Sequence, residues 1–235
     1  NNLSQTNTIT IDLGGFTYTL SDENNLVGSP GTVTLFMQLR KDADVTLKNG
    51  TLTSTKAKML VQNYSDLKLE DITLDGTKSD VCLYTLSNNF GSVVITGDTH
   101  IIGDEDTVAF DVWYGMFDVY DEGVTVTFDQ EFTGSVTGKV EYGAADRAAD
   151  GWQEKAALII DRNADNSANF DVEFAASSEE DIKDANIVIS GGRFTCEIPE
   201  EFCADGYVPC TYEDGTYGVC KHSFTSYHSD RNSTF

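Results

Sequence analysis

Two short clusters of carboxylates carry the residue types that glycan-cleaving enzymes use for acid and base catalysis. Hydrolysis of a glycosidic bond needs two carboxyl groups, and lyases add a basic residue that abstracts a proton. Neither cluster has a Lys or Arg nearby in the sequence, and the whole chain has only 15. The sequence therefore predicts solvated acidic loops and no catalytic residue. The clusters are "GDEDT" (Asp104, Glu105, Asp106) and "DVYDEG" (Asp118, Asp121, Glu122).

A second acidic stretch, "DRNADNSANFDVE", has the beginning of a calcium-binding pattern. Asp161, Asn163 and Asp165 alternate as the first three ligands of an EF-hand loop do. The pattern then departs from that loop, because Asn166 stands where Gly is required and Val172 where a bidentate Glu is required. A calcium ion held by the first three residues is one interpretation. An Asn-rich turn between strands is the other.

The three histidines do not extend the case for catalysis. His100 lies in "DTHII", and His222 and His228 lie near the end of the sequence. No Ser or Cys has the strand–turn–helix setting of a nucleophile elbow. We expect His100 to be a rim or corner residue rather than a general base.

Aromatic residues are concentrated in "FDVWYGMFDVYDEG". If this stretch begins as a strand, alternate residues fill the core, either Phe110, Val112 and Tyr114 or the opposite set. The outward set would form a surface for adhesion or carbohydrate stacking, since aromatic side chains provide a large contact area with little loss of rotamer freedom. The predicted binding residues are Trp113, Tyr114, Phe117 and Tyr120, with Trp113 and Tyr120 as the main contact pair.

Composition limits the remaining classes. The chain has 39 acidic and 15 basic residues, and its net charge of −24 opposes binding to a phosphate backbone, so no nucleic-acid partner is expected. Its apolar runs are far shorter than a membrane span, so no membrane insertion is expected. The sequence starts at "NNLSQTNTIT" without a signal peptide, which predicts a processed chain or a piece of a larger protein. We expect a monomer.

Period-two segments recur along the chain with Gly, Asn or Asp at the corners between them. Alternation of this kind predicts strands with one buried face, and the corner residues tolerate left-handed backbone. The repeating strand–corner–strand unit predicts an all-β, right-handed parallel β-helix with slight helical content. Only "DRAADGWQEKAAL" from Asp146 and "SSEEDIKDA" from Ser177 have helical composition. A β-sandwich with a hairpin at "NG" after Lys48 is the alternative. Corners occur in "DLGGF", "LKNGT", "LEDIT" and "ITGDT".

The C-terminal region resembles a known family. "VISGGRF", "ADGYV", "EDGTYGV" and "KH" are similar to the end of right-handed, pectate-lyase-like β-helix modules in large surface proteins of Gram-positive gut bacteria. The resemblance implies a solenoid over residues 1–195 and a hairpin cap over 196–221. It implies a linker, or the start of a following surface repeat, over 222–235.

Four of the five cysteines, Cys196, Cys203, Cys210 and Cys220, lie in or beside this cap. Disulfides would restrain a cap that has little core of its own, each by about 2–4 kcal/mol. Sequence does not select among the three connectivities, although we favour the local pairs Cys196–Cys203 and Cys210–Cys220. A zinc site is the alternative, but the spacings lack the close C-x₂₋₄-C pair that structural zinc sites have. Cys82 is expected to be a buried free thiol.

The expected function follows from these predictions and from the resemblance together. The resemblance implies a non-catalytic, extracellular binding or adhesion module of a bacterial cell-surface protein. It also implies the partners, which are a host glycoprotein of mucin or immunoglobulin type or an extended glycan. A glycan-active enzyme on the same fold and a structural spacer are the alternatives.

Overall fold

The structure is a computed structural model that describes residues 7–29, 32–115, 122–146, 151–161, 169–176 and 185–222. The described residues form 17 strands and three short 3₁₀ helices, Glu23–Asn25, Trp152–Lys155 and Glu200–Phe202. No helix in these ranges has the length and hydrophobicity to cross a membrane. The strands are β1 (Asn7–Leu20), β2 (Leu35–Leu39), β3 (Ala43–Ser54), β4 (Met59–Asn63), β5 (Asp66–Asp75), β6 (Tyr84–Asn88), β7 (Gly91–Thr96), β8 (His100–Ile102), β9 (Val108–Tyr114), β10 (Val124–Phe128), β11 (Ser135–Ala144), β12 (Ala156–Ile160), β13 (Asn169–Ala176), β14 (Asn186–Ile189), β15 (Arg193–Phe194), β16 (Tyr207–Thr211) and β17 (Tyr217–Lys221).

The sheet is mostly parallel, and its strands pair with strands further along the chain rather than with their immediate neighbours. One series of parallel pairs runs β1–β3–β5–β7–β10–β12–β14. A second series runs β2–β4–β6–β9–β11–β13–β15. This confirms the predicted all-β class with parallel pairing. The alternative hairpin at Asn49–Gly50 is wrong, because both halves of β3 pair in parallel with β1 and β5.

Register aligns the alternating apolar residues of successive strands into columns, and the buried members belong to one continuous core. A branched or aromatic side chain therefore packs on its equivalent in the next strand as well as on its neighbours across the core. Three columns run through most of the described strands: Ile9–Val45–Leu67–Val93–Val126–Leu158–Ile187, Ile11–Leu47–Leu69–Ile95–Phe128–Ile160–Ile189, and Tyr18–Leu52–Leu74–Ile101–Val136–Phe170–Phe194.

The predicted corners have the predicted backbone. Gly14, Asn49, Asp71 and Gly97 have φ values of 62°, 57°, 51° and 62°, all in the left-handed region. The polar corners also bond between successive strands, since Asn49 Nδ2 donates to Asp12 Oδ1 over 3.0 Å. Asn and Asp tolerate this conformation because their side chains bond locally. The corner residues thus hold neighbouring strands in register.

Gly91, the first residue of β7, lies very close to the backbone at the start of β5. Gly91 has a φ of 90°, and a Cβ there would lie 2.3 Å from the carbonyl oxygen of Ser65. Gly206 has a similar φ of 82°, but a Cβ there would meet nothing within 4 Å. Alanine at either position is strained, because its backbone must adopt a left-handed φ. Only Gly91→Ala also brings the new methyl group into a clash with backbone atoms. We expect Gly91→Ala to lower the free energy of unfolding by about 1–3 kcal/mol more than Gly206→Ala. Urea unfolding of the two variants measures the difference, and equal losses would contradict the close approach.

The last strands change direction. β16 and β17 form an antiparallel hairpin, and β17 also pairs antiparallel with β15. Cys210 and Cys220 form a disulfide across this hairpin. Of the two helical stretches expected from composition, the one at Ser177 lies outside the described residues. In the other, Trp152 begins a 3₁₀ helix and is buried against Tyr142, with ring centroids 5.5 Å apart.

Candidate functional site

Polar and aromatic side chains converge on the outer face of β6, β9 and β11. These strands pair side by side, so residues that point away from the core lie next to one another. Register places Asp111 of β9 opposite Glu141 of β11, and Trp113 opposite Gly143. We call Tyr84, Ser87, Asp111, Trp113 and Glu141 the outer-face cluster.

Asp111 is a fixed, buried member of the outer-face cluster. Its side chain accepts hydrogen bonds from Ser87 Oγ at 2.9 Å and from the backbone N–H of Asn88. Burial raises the pKa of the Asp111 carboxyl well above its ordinary value, and the nearby Glu141 carboxylate raises it further, against the opposing effect of the two hydrogen bonds. Asp111 is only 4% exposed, so this carboxyl positions strands and does not meet a bulky ligand.

Tyr84 and Glu141 form the next polar pair. The Tyr84 hydroxyl donates to Glu141 Oε2 over 2.8 Å, although the residues are 57 positions apart in sequence. Burial raises the pKa of the Tyr84 hydroxyl, and its bond to the Glu141 carboxylate and that negative charge raise it further. Both side chains remain partly exposed. The pair therefore presents a neutral phenol and a fixed carboxylate to solvent.

Trp113 lies beside this pair with its indole against the sheet. A Cβ on Gly143 would lie 2.8 Å from Trp113 Cζ3, and one on Gly115 would lie 3.0 Å from Trp113 Cδ1. Because both neighbours are glycines, the indole can pack directly on their backbone. Trp113 is partly exposed. The result is a rigid aromatic surface next to hydrogen-bonding groups, an arrangement suited to stacking on a sugar ring while its hydroxyls bond to carboxylate oxygens.

The structure describes two of the four predicted binding residues and places them on opposite faces of β9. Trp113 points outward as expected, and Phe110, Val112 and Tyr114 are the core set. Tyr114 was predicted as a contact residue and this is wrong, because it is 5% exposed and shares the inward parity of Phe110. Phe117 and Tyr120 lie outside the described residues.

The predicted calcium ligands are covered only in part. Asn163 and Asp165 lie outside the described residues. Asp161 Oδ1 accepts from Ser190 Oγ over 3.2 Å, and Gln130 Nε2 lies 3.5 Å from each carboxylate oxygen. Within the described ranges, no group of three or more His, Cys, Asp and Glu side chains is placed to hold a metal ion.

The "GDEDT" cluster has no Lys or Arg nearby in the sequence, but it has a basic neighbour in the fold. Lys139 Nζ donates to the backbone carbonyl of Glu105 over 2.6 Å. Asp104, Glu105 and Lys139 line a groove of about 410 Å³ together with Asp171 and Glu173. The neighbour was missed because 34 residues separate Lys139 from Glu105, and only strand register brings them together. Of the second cluster, Glu122 is described and lines a different groove, whereas Asp118 and Asp121 lie outside the described residues.

The cysteine predictions are confirmed in part. Cys210–Cys220 is formed, whereas Cys196 and Cys203 are free, so the second predicted pair is wrong. The backbone of Cys203 forms an isolated parallel β-bridge with Ile189. Its thiol lies 3.7 Å from the carbonyl oxygen of Pro199 rather than beside Cys196. Both pack against the core, and burial raises the pKa of each. Cys82 is buried and free as predicted, and burial raises its pKa to about 11.

Neither of the two described histidines belongs to the outer-face cluster. His100 Nδ1 lies 2.8 Å from Ser135 Oγ, and His100 Nε2 lies 3.2 Å from Asp98 Oδ1, beside the corner at Gly97. His222 follows β17 and is exposed, and His228 lies outside the described residues.

Sequence reasoning missed Tyr84, Asp111 and Glu141. One signal was available, because Asp111 in "AFDVW" is a carboxylate flanked on both sides by strongly apolar strand residues. Such a residue must find partners if it is buried. The hydrogen-bonded partners in this cluster are 24 to 57 positions apart in the sequence. Strand register decides which residues meet, and alternation does not specify that register.

Comparison with known protein families, with curated proteins and with solved structures gives no match for this chain.

Proposed function

We propose that the chain is a right-handed parallel β-helix that acts as a non-catalytic binding or adhesion module of a bacterial cell-surface protein. The solenoid part of the proposal is supported by parallel pairing that skips intervening strands, by the three core columns and by left-handed corners at equivalent positions. A stack of this kind presents a long, rigid lateral face.

The observation that carries the binding proposal is the indole of Trp113 lying on Gly143 beside the Tyr84–Glu141 pair. Its stacking surface is preorganised, because the sheet fixes the ring before any ligand arrives and little conformational entropy is lost on binding. The neighbouring carboxylate and phenol provide an acceptor and a hydroxyl at the edge of that surface. Extended glycans, and the glycans of host glycoproteins, have the alternating apolar faces and hydroxyls that such a surface fits.

The partner class and location rest on the family resemblance. Mucin- or immunoglobulin-type glycoproteins are the partners we propose, on the outside of a bacterial cell. The Cys210–Cys220 disulfide is compatible with an oxidising, extracellular location. Calcium held near Asp161 remains part of the proposal and is tested by adding a chelator.

Trp113→Ala is expected to weaken binding to an array of intact host glycans and glycoproteins by at least about tenfold, or about 1.4 kcal/mol. The matched control is Tyr212→Ala, which removes another partly exposed ring, one that stacks on Arg193 with 4.5 Å from guanidinium to ring centroid. We expect the control to bind as the unchanged chain does. Gly143→Ala should also weaken binding, because the new methyl group displaces the indole.

Equal binding by Trp113→Ala and the unchanged chain would remove the outer-face cluster from the proposal. No binding to any component of the array would favour the spacer. Loss of binding on chelation, with recovery on adding Ca²⁺, would indicate that calcium contributes to the recognising surface.

The groove around Lys139 favours one second candidate, a polysaccharide lyase. Lys139 lines this groove together with four acidic residues, a combination of basic and acidic groups that proton abstraction from an acidic sugar requires. Mass analysis of the array glycans distinguishes this activity, since a lyase leaves unsaturated, shortened products. Products that vanish in Lys139→Met would replace the binding proposal with an enzymatic one.

A further inference from the structure

β1 has one edge to which no other described strand pairs. All its register partners lie in β3, on the other side. β1 is 14 residues long, with a single charged residue, Asp12. Natural proteins protect such edges with charges, proline or a covering segment, because an open edge accepts another strand. Among the described residues, the single charge of Asp12 is the only such protection on the β1 edge.

At β1 the first residues of two apolar core columns are exposed to solvent. Ile9 is 46% exposed and Tyr18 is 49% exposed, although the residues that follow them in their columns are buried. Phe16, on the same strand, is 69% exposed. The other ends of the columns differ, because Ile187, Ile189 and Phe194 are buried. The described structure therefore has one open apolar end and one closed end.

Charge favours a second copy of this chain as the occupant of the open end. Residues 7–63 contain five acidic and five basic residues, so this part of the chain is neutral. The entire net charge of −24 is carried by residues after position 63. Two copies that meet through β1 bring neutral regions together and keep their acidic regions apart. Contact through residues after position 63 would bring regions of net negative charge together.

The closed C-terminal end restricts the geometry further. The β16–β17 hairpin and its pairing with β15 occupy that end. Its outer strand, β16, also has one edge without a described partner, but β16 is only five residues long and contains Pro209, which protects an edge from pairing. The long β1 edge of one copy therefore finds its equivalent only in β1 of another copy. A contact of a surface with itself is two-fold symmetric. Two edge strands related by such an axis run antiparallel.

We propose that β1 is a homodimer interface, in which the two β1 edges pair antiparallel and Ile9, Phe16 and Tyr18 pack across the two-fold axis. This replaces the monomer expected from sequence and is independent of the binding proposal. The contact is apolar and backbone-mediated, so raising the salt concentration should leave it intact.

Sedimentation velocity over a concentration series tests the proposal. The unchanged chain should shift with concentration from its monomer mass of 25.7 kDa to twice that mass. Tyr18→Lys should remain at the monomer mass throughout, because each copy then places an unpaired charge in the apolar contact, opposite the Ile9 end of the other strand. Val188→Lys is the matched control, since Val188 is also an exposed strand residue, at 39%, and the substitution changes the net charge equally. The control should dimerise as the unchanged chain does.

Three results would overturn the proposal. The first is an unchanged chain that stays monomeric up to its solubility limit. The second is a dimer that Tyr18→Lys leaves intact, and the third is a dimer that dissociates in high salt. Circular dichroism confirms that each variant is folded. If Tyr18→Lys does not fold, Phe16→Lys provides the same test at a more exposed position.

Discussion

Phe128→Ala is expected to lower the free energy of unfolding by about 3–5 kcal/mol. Phe128 is fully buried and lies at the centre of an aromatic group, with ring centroids 5.4 Å from Phe110, 4.9 Å from Phe132 and 5.2 Å from Phe170. Removing the ring loses its transfer free energy and leaves a cavity. Phe110 and Phe170 are held in the parallel strands β9 and β13, so their rings cannot collapse into that cavity without breaking register.

Urea unfolding at fixed pH measures this loss. Phe128→Leu, which leaves a smaller cavity, should cost less than Phe128→Ala, and Val81→Ala, at an exposed turn, should change stability by no more than about 0.5 kcal/mol. The Phe128→Ala and Phe170→Ala losses should not add in the double variant, because the two rings contact each other. A cost below about 1 kcal/mol for Phe128→Ala would mean that this region is not packed as described.

Local patterns predicted the parts of the fold that depend on neighbouring residues. Alternation identified the stretches around Val45, Leu67, Val93 and Val124 as strands, since period two is a property of a strand alone. Corner chemistry was equally local. A left-handed residue at Asn49 is recognisable without its partner, because few residue types accept that backbone.

Register was not predictable in the same way. The segments between strands differ in length, so the strand that lies beside β9 depends on how the chain returns, which alternation does not encode. The sequence therefore did not indicate that Asp111 would lie opposite Glu141, or that Lys139 would bond to Glu105. The four cysteines illustrate the same difference. Cys210 and Cys220 face each other across one hairpin, whereas Cys196 and Cys203 are separated by a 3₁₀ helix that carries Cys203 to Ile189.

Asp111→Asn is expected to stabilise the protein at neutral pH and to have little effect in acid. The pKa of Asp111 is raised in the folded chain, so the carboxyl is protonated in both the folded and unfolded chain below the ordinary value of 3.8. Above that value the Asp111 carboxyl ionises in the unfolded chain but stays protonated in the folded chain. The free energy of unfolding therefore falls as the pH rises, until the pH passes the raised pKa of the folded chain. Asparagine does not ionise, and it can still accept from the Asn88 N–H and bond to Ser87 Oγ.

The measurement is the free energy of unfolding as a function of pH for the unchanged chain, Asp111→Asn and Asp106→Asn. Asp106 is exposed, and its substitution changes the net charge equally, so this control corrects for general charge repulsion. Asp111→Ala should instead destabilise at every pH, by about 2–4 kcal/mol, because it leaves two buried donors without acceptors. Glu141→Gln should reduce the pH dependence, since it removes the charge that opposes ionisation of Asp111. Parallel pH profiles for the unchanged chain and Asp111→Asn would instead mean that Asp111 ionises as readily in the folded sheet as in the unfolded chain.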